Sequence, residues 1–281
     1  MLFVLLFQLE LIMAFRFNEI RRCISLSKGT KNKVIMGLFA LIAPSREPIP
    51  KRWRRLLTRL TPDFFLRPIP LNGCQLVINP SDWSQTVIFE EVFLRNGYDL
   101  NRLEFAPEVI LDCGAHIGMF SLLAKSRFPA ARVIAFEPNP INIHYLRKQI
   151  SVNSLDLQLV EAAVSTKAGE LGFVWNNSHG GRLNREEQSD GGLRVKVIDF
   201  PKMVRDLHAS SLLLKMDVEG EEMDILPLLA PLLPQQAAIF LEIHSGEAGW
   251  ETVASLLEKN GFCVEKINTR GRFIDVYGYR K

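Results

Sequence analysis

Cysteine is scarce in this chain: Cys23, Cys74, Cys113 and Cys263 are the only four in 281 residues, and no two stand in a C-x-x-C or other metal-ligand spacing. That excludes a zinc finger or ribbon and a disulfide-framed scaffold, and it suits free, largely buried thiols in a reducing compartment. The G-x-G-x-x-G turn of dinucleotide-binding enzymes is also missing, which removes the main support for an NAD-dependent oxidoreductase. There is no internal repeat and no low-complexity segment. No apolar run is long enough to span a bilayer comfortably. The longest, Met1–Phe7 and Leu11–Phe15, is broken by Gln8 and Glu10 and lacks the positive leader of a signal peptide. What remains, 47% hydrophobic and 23% charged residues, is the composition of a globular protein with room for one α/β domain and an extension.

The formal net charge of +3 conceals an asymmetry. Residues 1–69 carry 13 Lys/Arg against 4 Asp/Glu, whereas the rest carries 21 against 27. A basic N-terminal extension is therefore joined to a mildly acidic body, residues 70–281. Within the extension, Lys51-Arg-Trp-Arg-Arg-Leu-Leu-Thr-Arg-Leu60 places Trp53, Leu56, Leu57 and Leu60 on one helical face among arginines. This pattern suits peripheral contact with a membrane surface through residues 1–60, and equally a helix that caps the body. Met13 and Met36 are alternative starts. The expected location is cytoplasmic, with membrane association resting on this arm.

The body opens with the strand-like Cys74–Asn79 and a helical stretch from Trp83 to Asn96. Its most informative stretch is Val109-Ile-Leu-Asp-Cys-Gly-Ala-His-Ile-Gly118. A continuous apolar run reads as a parallel strand buried on both faces, and the glycine-bearing turn after it leads into an apolar helix from about residue 117. A second strand over 132–137 ends in Glu137, the place of a ribose-binding acid in the first βαβ unit of a Rossmann-like site. Helix B follows Asn139-Pro140, and 157–164 reads as strand three. Residues 169–198 read as a β-insertion that could rim a substrate pocket. Residues 212–217 and 238–243 read as strands four and five. The final pair, 262–267 and 273–277, must be antiparallel because its link is so short. The expected fold is α/β, a mostly parallel doubly wound sheet with an antiparallel C-terminal strand.

Ligands of such sheets bind beyond the carboxyl ends of the strands. Those ends supply Asp112 and Gly114, Glu137, Ala163, Asp217 and Glu219, and Glu242 and His244. An acid just before the glycine turn repels a pyrophosphate but suits a cationic ligand with an amino-acid tail. S-adenosylmethionine has that chemistry: a sulfonium, an ammonium and no phosphate.

Asp112-Cys-Gly-Ala-His-Ile-Gly118, Ala135-Phe-Glu-Pro138, the K-x-D-x-E-G-x-E element beginning at Lys215, and Leu241-Glu-Ile-His244 together resemble the FkbM-type S-adenosylmethionine-dependent methyltransferases, over about residues 75–280. The resemblance implies a Rossmann-like class I methyltransferase fold and O-methylation of a hydroxyl on a sugar, glycan or polyketide-like metabolite. His116 stands where the family more often has Asn. Cofactor-binding candidates are Asp112 near the methionine moiety, Gly114 for close approach, His116, Gly118, Glu137 on the ribose hydroxyls and Ala163 beside the adenine.

Methyl transfer to an alcohol needs its proton removed, and His244 is the first candidate base because an unshifted imidazole suits neutral pH. Asp217 and Glu219 are rivals, either as bases or, with Glu242, as ligands of a divalent cation such as Mg2+. His179, in the loop Asn176–Gly181, could enter on closure. Glu221 and Glu222 are read as favouring the positive end of the following helix. Cys113 is read as packing, and Lys215 as pairing with a strand-end acid. The expected partner is a small-molecule, glycan or lipid-linked acceptor. A non-catalytic scaffold at the membrane surface and a nucleic-acid methyltransferase are the alternatives; against the latter, no Asn/Asp-Pro-Pro-Tyr element holds a flipped base and the body is acidic.

Overall fold

The computed structural model describes residues 69–71, 74–79, 82–175, 181–184 and 193–280. The basic arm through residue 68, Cys23 and the loop bearing His179 lie outside the described residues. The chain divides into two compact units, one running to Gly97 and including Ser151–Ser154, the other comprising Tyr98–Ile150 and the chain from Leu155 onward.

In the first unit, β1 (Ile69–Leu71) and β2 (Cys74–Leu76) pair antiparallel. Helix α1 (Trp83–Phe89) starts at Asp82, whose carboxylate accepts the Ser84 N–H at 3.0 Å and so satisfies an open donor of the first turn. The winding then loosens into a π-helical turn, Glu90–Leu94, closed by a 2.9 Å bond from Arg95 N–H to the Glu90 carbonyl five residues back. The helix anticipated to Asn96 thus stops short, and Asn96 itself has φ +54°.

The second unit holds the rest. Its regular elements are β3 (Val109–Cys113), α2 (Met119–Arg127), β4 (Arg132–Phe136), α3 (Pro140–Asn153, of which the part to Ile150 belongs to this unit) and β5 (Leu157–Val160). Next come β6 (Ala163–Ser165), β7 (Gly169–Trp175), β8 (Gly181–Asn184), β9 (Leu193–Asp199) and α4 (Phe200–Leu207). It ends with β10 (Ser211–Met216), α5 (Glu222–Leu229), β11 (Gln236–Ile243), α6 (Gly246–Lys259), β12 (Phe262–Arg270) and β13 (Phe273–Arg280). The main sheet has the order β12-β13-β11-β10-β3-β4-β5. The five strands from β11 to β5 are parallel, and β13 lies antiparallel between β11 and β12. This is the mostly parallel, doubly wound sheet with an antiparallel C-terminal strand of the class I methyltransferase fold. Every residue of β3 and of β10 is buried, because helices cover both faces, so each strand carries a continuous apolar run, Val109–Leu111 and Leu212–Leu214, ahead of the buried pair Asp112 and Lys215. From β3 the chain winds outward through β4 and β5, then crosses back to β10. The adjacent carboxyl ends of β3 and β10 therefore form the switch point, with Asp112 beside Lys215 in register.

One strand assignment needs correction. Residues 157–164 do not form a single third strand. Ala162 N–H bonds the Val160 carbonyl at 2.9 Å, a tight turn that ends pairing with β4 and sends the chain into a separate sheet of order β6-β9-β7-β8. That sheet contains the anticipated β-insertion, and Ala163, Phe173, Val195 and Val197 form its apolar centre. Among the described residues, no helix is long and apolar enough to cross a membrane.

Candidate active site at the carboxyl ends of the parallel strands

The turn after β3 is built on a buried ion pair. Asp112 is 0% exposed; its Oδ2 accepts the Ser121 hydroxyl at 2.6 Å and its Oδ1 lies 3.7 Å from Lys215 Nζ. Lys215, 5% exposed, donates to the Gly114 carbonyl at 2.7 Å and lies 3.9 Å from Asp217 Oδ2. Burial pushes the Asp112 pKa up, while the Lys215 charge and the Ser121 hydrogen bond pull it back. Held in this way, Asp112 fixes the turn from beneath. Cys113 is likewise buried, and burial followed by the Asp112 charge holds its thiol well above the ordinary range. It is a packing residue, as anticipated, with no thiolate to react.

The two glycines of the turn are explained by the protein's own packing. Gly114 has φ +77°, and a Cβ there would lie 1.9 Å from the Asp217 carbonyl oxygen. Gly118 has φ +82°, and its Cβ would meet Leu146 Cδ1 of α3 at 2.2 Å. The backbone just after β10 therefore comes close to Gly114. His116 also sits at positive φ, +53°. Among residues with a side chain, Asn and His tolerate that region best, which accounts for the exchange at this position.

The second acid is at the end of β4. Glu137 is 5% exposed; its Oε2 accepts the His116 N–H at 2.7 Å, and its Oε1 accepts the Asn139 N–H at 2.9 Å and Asn142 Nδ2 at 3.3 Å. Gly114 and Ala115 N–H both bond the Phe136 carbonyl just before it, at 3.0 and 2.9 Å. Turn and carboxylate are thereby locked together. Burial drives the Glu137 pKa up to about 7, against the pull of those hydrogen bonds.

The remaining groups converge on His244 at the end of β11. Its side chain is 9% exposed, with Nδ1 3.1 Å from Glu222 Oε1. Its Nε2 lies 3.6 Å from Asp217 Oδ1, 3.4 Å from Glu219 Oε2 and 3.4 Å from Glu242 Oε1. Burial alone would lower the pKa of this imidazole. The hydrogen bond and charge of Glu222, with the charges of Asp217 and Glu219, outweigh burial and raise it to about 9. The surrounding carboxylates therefore favour the protonated ring, which sets His244 apart from the unshifted imidazole anticipated for a base. Burial, and then the Asp217 charge, raise the pKa of Glu219 above the ordinary carboxylate value. Glu219 also has φ +55°, a strained backbone for a residue with a side chain.

The structure thus brings together Asp112, Gly114, His116 and Glu137 around one turn, and Asp217, Glu219, Glu242 and His244 around another. Ala163 stands apart in the centre of the second sheet. Around the second turn, ligand atoms of Asp217, Glu242 and His244 come within 4.8 Å of one another, so a cation-binding set there would need a neutral His244 where Glu219 was anticipated. Residues missed from sequence are Glu222 and the tip of the C-terminal hairpin. Arg270 donates to Glu242 at 2.5 Å and to Asp275 at 2.9 Å, and the Phe273 ring stands edge-on to His244 at 5.4 Å. The short link that forces an antiparallel hairpin was the only sequence signal for this tip.

The sequence from residue 112 to residue 264 matches the family described as the methyltransferase FkbM domain. Methyltransferase sdnD of Sordaria araneosa is 27% identical over 173 residues, 50% of this chain and 66% of that protein. The 31-O-demethyl-FK506 methyltransferase FkbM of Streptomyces tacrolimicus is 26% identical over 211 residues, 63% of this chain and 81% of its own. The hexuronic acid methyltransferase AglP of Haloferax volcanii is 26% identical over 163 residues, 54% of this chain and 64% of its own. The first and third of these matches span just under two thirds of the relative's length.

Proposed function

Because the chain belongs to the FkbM methyltransferase family, we propose that it is an S-adenosylmethionine-dependent O-methyltransferase acting on a hydroxyl of a sugar, glycan or polyketide-like metabolite. The observation that carries the cofactor reading is Glu137, a buried carboxylate locked to the glycine turn at the switch point of the sheet. Oε2, which accepts only the His116 N–H, keeps a lone pair for one ribose hydroxyl, and a second hydroxyl takes the place of the long 3.3 Å Asn142 contact on Oε1, each such bond to a carboxylate being worth ~1.5–3 kcal/mol. S-adenosylmethionine, when bound, supplies a methyl group on a cationic sulfur. The carboxylates at the ends of β10 and β11 give the neighbouring space a negative potential that favours that cation.

On the acceptor side, Asp217 and Glu219 are the groups that take the hydroxyl proton. His244 instead holds their charge in place as an imidazolium. Alignment of the hydroxyl supplies a large part of the rate, and a positioned base adds ~10²–10⁴-fold. Two relatives support the acceptor class, one named for 31-O-demethyl-FK506 and one for a hexuronic acid.

The test is calorimetric titration of S-adenosylhomocysteine into the purified chain, with NAD as control and with and without Mg2+. Saturable binding, weakened about 100-fold or more in Glu137→Ala by the loss of two such bonds, is expected. Equal binding by the folded variant, or preference for NAD, overturns the reading.

A further inference from the structure

Glu221 and Glu222 look alike in sequence, as two acids opening a helix, but the structure separates their work. Glu221 Oε2 accepts the Ser165 hydroxyl at 2.6 Å, an anchor to β6. Glu222 is only 1% exposed, so the weak attraction of a solvated acid to a helix end does not describe it. Its Oε1 accepts the Val218 N–H at 2.9 Å, and its Oε2 accepts the Gly220 N–H at 3.0 Å. The same Oε1 meets His244 Nδ1 at 3.1 Å, across 22 residues of sequence. One carboxylate therefore grips the backbone on both sides of Glu219, the residue held at φ +55°, and also one nitrogen of the imidazole.

The consequences on each side are specific. A left-handed residue followed by Gly220 at φ +111° persists only where its surroundings hold it, and the two N–H bonds to Glu222 do so. On the other side, a ring fixed through Nδ1 must aim Nε2 at Asp217, Glu219 and Glu242, with Phe273 edge-on to the ring. Arg270 is held in turn against Glu242. We propose that Glu222 is a positioning residue for methyl transfer: it clamps the Val218–Gly220 turn onto His244 and so sets the aim of the Asp217 and Glu219 carboxylates. The inference rests on this cluster being the acceptor side of the methyltransferase site.

The test compares the wild-type chain with Glu222→Gln in EDTA by nitrogen-15 NMR. The chain has five histidines, and the His244 ring is assigned by its loss in His244→Gln. In the wild type the His244 ring should show a bonded Nδ1–H, and the Val218 and Gly220 amides should be protected from exchange. In Glu222→Gln the bonded Nδ1–H signature should be lost and both amides should exchange about tenfold faster or more. The His116, His144 and His208 rings should be unmoved, and S-adenosylhomocysteine affinity should stay within about threefold. Unchanged His244 signals and exchange in the folded variant overturn the proposal, as does a uniform loss of protection across the chain. If Glu222→Gln does not fold, the wild-type spectra still decide: an unbonded His244 Nδ1 or unprotected Val218 and Gly220 amides overturn it. Failure of the wild type to bind S-adenosylhomocysteine would instead refute the cofactor assignment and leave these signals readable.

Discussion

Replacing Glu137 by Gln should stabilise the fold more as the pH rises. The carboxyl is pushed from 4.5 up to about 7, chiefly by burial, while the Asn139 and His116 N–H groups and the Asn142 amide oppose the shift. A folded pKa above the unfolded one means that the native state holds this proton more tightly. The stability it contributes is full below about pH 4.5 and is lost as the pH rises through about 7. At ~1.4 kcal/mol per pH unit across that window, the loss amounts to about 3 kcal/mol. Gln does not titrate, and its single carbonyl oxygen keeps one of the two backbone N–H bonds, at a pH-independent cost of about 1 kcal/mol. The unfolding free energy of Glu137→Gln minus that of the wild type should therefore climb by about 3 kcal/mol between pH 4.5 and 8. Urea unfolding of both chains across this range measures it, since the difference cancels every other titrating group. A difference that is flat, or that falls with pH, would refute the assignment of Glu137 as a carboxylate ionised against burial. The same linkage makes wild-type affinity for S-adenosylhomocysteine rise with pH up to about 7 and level off above it, because ribose hydroxyls bind the ionised form.

Gly114→Ala places a Cβ 1.9 Å from the Asp217 carbonyl at φ +77°. It should cost at least ~2 kcal/mol in denaturant unfolding and disturb both turns of the site; a neutral effect would show that the two strand ends part without cost. Lys215→Met leaves the fully buried Asp112 without its counter-charge and should destabilise by ~3–5 kcal/mol. Most of that should return in the double variant Lys215→Met/Asp112→Asn, and additive losses in thermal melts would show that the pair is not coupled.

Local pattern was enough for the sheet and for the addresses of the site. The stretches Val109–Leu111 of β3 and Leu212–Leu214 of β10 are apolar because both faces of those strands are buried, and the acids that close each run, Asp112 and Asp217, with Glu137 after β4, could be placed from spacing alone. The antiparallel hairpin followed from a link too short for any other connection. The path of the chain after Val160 could not be read in this way. Residues 157–164 are apolar enough for one strand, and only the turn at Ala162 sends Ala163 into another sheet. The chemical character of each side chain was hidden for the same reason. Burial, and partners far away in sequence, set it: Glu222 and Asp217 favour the charged form of His244, Lys215 reaches back across the switch point to Gly114, and the Asp217 carbonyl demands a glycine there. Periodicity determines which residues end a strand, whereas desolvation and charge coupling are properties of the packed neighbourhood and exist only once the strands lie side by side.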